Sequence, residues 1–149
     1  NCKFCITTGS GPDIISDIFG KPLLYLNHLP LNAINYWSKA TTIPKNLFWE
    51  ENGQELSLKE QLSYSHLAWE QPDRLLMKDL TEKEILSYVK EFFNFIKTDF
   101  KMTEEDKILK DKFWNIIKSR DKNNFIRKIH SRAGPSLEWL KKREDNFLL

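Results

Sequence analysis

The chain has 149 residues, of which 40% are hydrophobic and 30% charged, a composition typical of a globular domain with room for a core. It has no apolar run as long as a membrane-spanning helix needs, so an integral membrane protein is not expected. Nucleic acid is not expected as a partner either, because the chain is acidic outside one basic segment and carries no recognition motif.

The first thirty residues predict a strand, a glycine turn, a short helix and a second strand. A β-prone run at 4–7 is broken by Gly9 and Gly11, a helical pattern follows over 12–19, and the apolar run 23–27 comes next. Parallel strands need a crossover, so we expect 4–7 and 23–27 to be neighbouring parallel strands joined by this helix. The apolar residues that repeat at helical spacing are Ile14, Ile15, Ile18 and Phe19.

The glycine turn predicts a phosphate site. In such a unit, unpaired backbone N–H groups and the positive end of the helix face whatever lies above the turn. The residues expected around a diphosphate are Thr8, Gly9, Ser10 and Gly11. Gly11 would let the backbone approach the ligand, and Ser10 would add a hydroxyl donor.

The loop after the second predicted strand offers further candidates for a sugar or base. Asn27 and His28 end that strand, where ligands of α/β sheets bind. Tyr36 and Trp37 are stacking faces, and Lys45 is a cation for a phosphate. Structural roles stay open: the aromatic residues would pack the loop, Lys45 would be solvated, and His28 would be a polar strand end rather than a general base.

Several short motifs occur along the chain. They are Thr8-Gly9-Ser10-Gly11-Pro12, Phe19-Gly20-Lys21-Pro22, the run 23–27 ending in Asn27, Ile43-Pro44-Lys45, Phe113-Trp114, and the tail segments 132–137 and 147–148. Together they resemble the donor-binding half of GT-B glycosyltransferases, above all a family of predicted bacterial glycosyltransferases of surface-polysaccharide clusters that is distantly similar to lipopolysaccharide heptosyltransferases. Heptosyltransferases tend to carry an Asp and a His where this chain has Gly9 and Ile14, so a heptosyl donor is not implied.

The resemblance implies an α/β fold, with a partial Rossmann-like parallel sheet in 1–63 and a mainly helical region in 64–149 that ends in a crossing helix. It implies the C-terminal part of a glycosyltransferase that binds a nucleotide sugar as substrate and uses no cofactor or metal. The acceptor would be a glycan or a lipid-linked molecule. The N-terminal GT-B half, which normally supplies the catalytic base, would be missing, so this part alone would be inactive.

Two further features bear on location and extent. The chain begins at Asn1 inside a β-prone run with no Met before Met77, which leads us to expect a piece of a longer protein. The resemblance implies a cytoplasmic location and leaves open a peripheral contact with the inner membrane face. Cys2 and Cys5 form a C-x-x-C, which we interpret as two small buried strand residues in a reducing cytoplasm. The alternatives, a redox pair or a metal site, would need a helix start or further ligands.

The second half is predicted to be helical from its capping boxes, in which a hydroxyl precedes a carboxylate by three residues. They are Ser57 with Glu60, Thr81 with Glu84, and Thr103 with Asp106. The stripes assigned to the core are Ile85, Leu86, Val89, Phe92, Phe93 and Ile96, then Ile108, Leu109, Phe113, Ile116 and Ile117. Asn52-Gly53 predicts a tight turn, 67–79 an irregular link, and the tail after Pro135 a helix anchored by Leu137 and Leu140.

The basic segment 118–143 supports an alternative function. It contains nine Lys or Arg against two acidic residues, a local charge of +7. A solvated helical surface explains this pattern, but so does attraction to nucleotide phosphates or an acidic membrane surface. The alternative to an enzyme part is therefore a non-catalytic interaction module that binds a partner or an anionic surface through this tail.

Overall fold

The computed structural model describes residues 2–31, 34, 36–63, 74–97, 100–120 and 129–149. The strands are β1 (Cys5–Thr7), β2 (Leu23–His28), β3 (Ala40–Pro44), β4 (Asn46–Trp49), β5 (Leu75–Lys78) and β6 (Gly134–Pro135). The helices are α1 (Asp13–Ile18), α2 (Leu58–Ser63), α3 (Glu82–Lys97), α4 (Glu104–Arg120), α5 (Leu137–Lys141) and α6 (Glu144–Phe147).

The protein is α/β, built on a parallel sheet with the strand order β1-β2-β3-β6. Cys5 lies beside Leu23 and Thr7 beside Tyr25, with α1 as the connection. The predicted parallel pair and its crossover helix are therefore confirmed. The fourth strand, β6, comes from the region predicted to be mainly helical, and it pairs with β3 at Thr41 and Thr42.

A second, antiparallel pair is formed by β4 and β5, with Asn46 beside Lys78. The expectation of an irregular link over 67–79 is wrong from Leu75 onward, because this stretch pairs in register with β4; the part up to residue 73 lies outside the described residues. Gly53 has a φ of 68° in the turn after β4, as the Asn52-Gly53 pair predicted.

All three predicted capping boxes are present. The Ser57 N–H donates to Glu60, the Thr81 N–H to Glu84 and the Thr103 N–H to Asp106, at 2.8, 2.8 and 3.0 Å. In return each hydroxyl accepts the backbone N–H of its carboxylate partner, at 3.4, 3.3 and 3.1 Å. These reciprocal bonds begin α2, α3 and α4 where the sequence predicted.

The core lies between the sheet and the helices α3, α4 and α5. Its largest fully buried side chains include Trp139, Tyr36, Tyr88, Phe92, Phe113 and Phe147. The tail helix α5 contributes directly, since Trp139 and Leu140 are fully buried. Leu140 therefore anchors the tail as predicted, while Leu137 is half-buried.

Several residues assigned to the core are exposed instead. These are Leu86 and Phe93 on α3, and Ile108 on α4. The apolar residues of the α1 region, Ile14, Ile15, Ile18 and Phe19, are exposed as well. A short helix at the edge of the sheet meets too few neighbours to bury all its apolar residues, and α3 and α4 bury only one side. Cys2 is likewise exposed and outside the strand, while Cys5 is half-buried in β1.

Among the described helices, none combines the length and the apolar character required to cross a bilayer.

Candidate functional site at the glycine turn

The predicted turn lies at the carboxyl end of β1 and is open to solvent. Gly9 and Gly11 have φ values of 83° and 101°, a conformation that other residues adopt at a cost. Thr8 precedes Gly9, Ser10 lies between the two glycines, and both residues are exposed. The chain thus needs glycine at these two places in order to turn from β1 into α1.

Asp13, at the start of α1, is a site residue that sequence reasoning missed. Its carboxylate accepts the Gly11 N–H at 2.8 Å and the Tyr25 hydroxyl at 2.9 Å. A side-chain anion therefore already fills part of the position predicted for a phosphate. An acidic residue in the first turn of a helix interacts favourably with the helix macrodipole. This position is the sequence signal by which Asp13 could have been identified.

Gly9 rests directly on His28 at the end of β2. A Cβ added to Gly9 would lie 3.0 Å from Nδ1 of His28 and 3.2 Å from its Cε1. The turn and the strand end that were predicted separately are therefore in contact, and only a residue without a side chain fits between them.

His28 is 6% exposed and is enclosed by aromatic rings. Its ring centroid lies 5.0 Å from that of Tyr25 and 6.4 Å from that of Tyr36. Within the described part of the chain, neither ring nitrogen has a hydrogen-bond partner. Burial lowers the pKa of His28 from its ordinary value of 6.5 to about 4, although the Asp13 carboxylate opposes this shift.

Tyr36 packs below this histidine as part of the core. It is 1% exposed, its ring is 4.9 Å from that of Tyr25, and its hydroxyl shares a hydrogen bond with Thr42. Burial raises the pKa values of both Tyr25 and Tyr36 well above their ordinary value. Tyr36 is therefore a packing residue and offers no stacking face to a ligand.

Asp17, one helical turn after Asp13, holds the loop that carries Trp37. Its carboxylate accepts the Trp37 N–H at 3.0 Å and the Ser38 N–H at 2.8 Å, and it is buried. The Trp37 side chain remains 45% exposed, so it is the aromatic residue of this loop that a ligand can reach.

Asn27 and Lys45 have structural partners. Asn27 has a φ of 51°, and its side-chain carbonyl accepts the Leu80 N–H at 3.0 Å. Lys45 forms an ion pair with Asp79 at 2.9 Å. The structure therefore brings the turn, Asp13 and His28 together, while Asn27 and Lys45 connect the end of the sheet to the chain that leads into α3.

Three basic residues at the end of the basic segment form ion pairs within the protein. Lys141 pairs with Asp106 at 2.6 Å, and Lys142 pairs with Glu138 at 2.7 Å. Arg143 pairs with Glu55 at 2.8 Å. Residues 121–128 of the segment lie outside the described residues. The described basic residues at the end of the tail thus serve internal ion pairs.

No cluster of three or more potential metal ligands occurs among the described residues. Comparison of the chain with protein-family models, curated proteins and solved structures finds no significant match in any of the three. What the site binds therefore has to be inferred from its own geometry.

Proposed function

We propose that the chain is the nucleotide-sugar-binding portion of a glycosyltransferase of surface glycan synthesis, with the donor diphosphate at the turn 8–11. The observation that carries this proposal is the parallel β1–α1–β2 unit with two positive-φ glycines in an exposed turn at the carboxyl end of the sheet. Ligands of open α/β sheets bind beyond this end of the strands.

The diphosphate is held on the exposed side of the turn, by the hydroxyl groups of Thr8 and Ser10. The Gly11 N–H is engaged with Asp13, so this donor is available only if Asp13 rotates away. Trp37, whose backbone is held by Asp17 of α1, is an exposed aromatic residue that can cover the base or the sugar. Catalysis would be mainly electrostatic, through stabilisation of negative charge on the departing diphosphate.

A second α/β half would complete the enzyme at the β1 edge. In the described part of the chain, β1 has a sheet neighbour on only one side, and the apolar residues of the α1 region are exposed. A further half packed on this edge would cover them and supply the catalytic base. We place the protein in the cytoplasm, since the free thiols of Cys2 and Cys5 suit a reducing compartment. The acceptor would be a glycan or a lipid-linked molecule.

The test is calorimetric titration of a panel of nucleoside diphosphates into the chain and three variants. Gly11→Val should abolish binding, because it places a side chain at the turn and penalises a φ of 101°. Ser10→Ala should weaken binding by the value of one hydrogen bond, about 1 kcal/mol. Asp13→Asn should strengthen binding, because it removes a negative charge and keeps the acceptor for Gly11.

Circular dichroism of each variant serves as the control for folding. If no nucleoside diphosphate binds, or if folded Gly11→Val binds as well as the parent, the assignment of the turn is wrong. The interaction-module alternative would then be tested by pull-down with the parent chain and with variants in which basic residues of the segment 118–143 are replaced by Ala.

A further inference from the structure

A cavity of about 460 Å³ lies beside α4, away from the glycine turn. Its wall includes Lys107, Lys110 and Lys118 from α4, and His130 from the segment that leads into β6. This segment enters β6, so the cavity lies at the amino end of the parallel sheet, whereas the glycine turn follows the carboxyl end of β1. The cavity and the glycine turn therefore lie at opposite ends of the strands.

The charge of the cavity wall favours an anion. Among the described lining residues, three lysines face the cavity against one carboxylate, that of Asp111. The Lys107 ammonium also forms an ion pair with the Glu104 carboxylate at 2.5 Å, and Glu104 itself does not line the cavity. The Lys118 side chain is exposed to the cavity and to solvent.

Lys110 is held in position before any ligand arrives. Its ammonium donates to the Ser131 carbonyl at 2.9 Å, and its Cε lies 2.9 Å from where a Cβ on Gly134 would be. The absence of a side chain at Gly134 is what lets the lysine stem cross β6. Burial lowers the pKa of Lys110, with Arg132 adding to the effect and Asp111 opposing it. A bound anion would compensate this partly buried charge.

The wall also has an apolar part. Trp114, Ile129, Met102 and Ala133 line the cavity together with the lysines and with the polar residues His130 and Ser131. A volume of this size suits a small molecule, and a wall that combines cationic and apolar residues suits an organic phosphate.

We propose that this cavity binds a small phosphorylated molecule, with the phosphate on Lys110 and Lys118 and an apolar or aromatic group against Trp114. The proposal does not depend on what the glycine turn binds. A hollow with an apolar part, rather than a flat basic face, favours a small phosphate ester over a nucleic-acid backbone.

The test is calorimetric titration of phenyl phosphate into the whole chain, with inorganic phosphate and phenol as separate comparison ligands at constant ionic strength. We expect saturable binding of phenyl phosphate, several-fold tighter than that of either comparison ligand. Lys110→Met keeps the stem across Gly134 and should raise the Kd at least tenfold, and Lys118→Ala should raise it several-fold.

Lys112→Ala is the matched control, because Lys112 lies on the same helix but lines a different hollow. It should leave the Kd unchanged. If Lys110→Met does not fold, Lys118→Ala and Lys107→Ala decide the outcome. Absence of saturable binding at millimolar ligand, or equal loss in the Lys112→Ala control, overturns the proposal. Tighter binding of a single-stranded oligonucleotide that depends on the same lysines overturns it in favour of nucleic acid.

Discussion

At the scale of single residues, the protonation of His28 depends on the residues that surround its ring. Its two ring nitrogens lie among the rings of Tyr25 and Tyr36 and beneath Gly9, so protonation would bury a charge without a hydrogen-bonding partner. This environment suits a neutral packing residue. It disfavours the role of general base, which needs a nitrogen within reach of the substrate.

The His28 environment predicts acid sensitivity. Its folded pKa of about 4 lies below the ordinary 6.5, so the unfolded chain binds a proton that the folded chain does not. Stability should therefore be fully present above pH 6.5 and fall as the pH drops towards 4, by about 3 kcal/mol in total from this residue. Urea unfolding at a series of pH values, compared between the parent and His28→Leu, measures it. An equally steep pH dependence in the variant would contradict this assignment.

Replacing Gly9 should lower the free energy of unfolding more than replacing Gly20, another glycine with a positive φ. Gly9→Ala brings both a strained backbone and a Cβ 3.0 Å from the buried ring of His28, and should cost about 2–3 kcal/mol. Gly20→Ala is the control: Gly20 has a φ of 65° with no atom within 4 Å of the added Cβ, so it should cost about 1 kcal/mol. Denaturant midpoints distinguish the two, and equal losses would mean that the ring yields to the new methyl group.

At the scale of the elements, the starts of α2, α3 and α4 are local, whereas the start of α5 depends on a distant residue. Ser136 caps α5 by accepting the Trp139 N–H at 3.0 Å. Glu91 of α3 accepts the Leu137 and Glu138 N–H groups at 3.0 and 3.1 Å, and also bonds the Ser136 hydroxyl. This carboxylate supplies acceptors that a five-residue helix cannot provide for itself.

Glu91→Ala should therefore destabilise the protein by about 2 kcal/mol, because it leaves two backbone N–H groups of α5 without their acceptor. Burial raises the pKa of Glu91, which limits the loss, since part of the carboxylate desolvation cost is recovered. Thermal or urea unfolding measures the change. Glu82→Ala, an exposed position in the first turn of the same helix, is the control and should cost only a few tenths of a kcal/mol. Similar losses for the two variants would show that Glu91 does not stabilise α5.

At the scale of the whole molecule, β1 is an outer strand of the described sheet, with no further strand beside its free edge. Phe4 packs on Phe92 with ring centroids 5.8 Å apart, which secures one face of β1. On the other face Ile18 and Phe19 are 62% and 73% exposed. Adjacent exposed apolar residues of this kind mark an interaction surface.

This edge should make the isolated chain self-associate. Ile18→Lys should reduce self-association in sedimentation velocity over a concentration series, while the free energy of unfolding changes by less than about 0.5 kcal/mol. Ile108→Lys is the control, since Ile108 is 65% exposed but lies on α4. A parent that sediments as a monomer at every concentration, or an equal effect of the control, would argue against this surface.

Part of the candidate site was predictable from the sequence. Gly9 and Gly11 mark a turn because a positive φ is a property of a single residue. That Asp13 would occupy the Gly11 N–H, or that His28 would lie without hydrogen bonds under Gly9, depends on side-chain directions that β1, α1 and β2 acquire only when they pack.

The sequence by itself determined the features whose interactions lie within a few residues. These are the order of strand, turn, helix and strand at the start of the chain and the three capping boxes, because apolar runs, glycine turns and bonds between residues three apart are local. The parallel pairing of β1 with β2 followed from the rule that parallel strands need a crossover. The tertiary structure alone decided which apolar residues are buried, that β6 completes the sheet, and that Asn27 accepts a hydrogen bond from Leu80, 53 residues away. Such contacts join segments remote in the chain, so they depend on how the whole chain packs rather than on any local pattern.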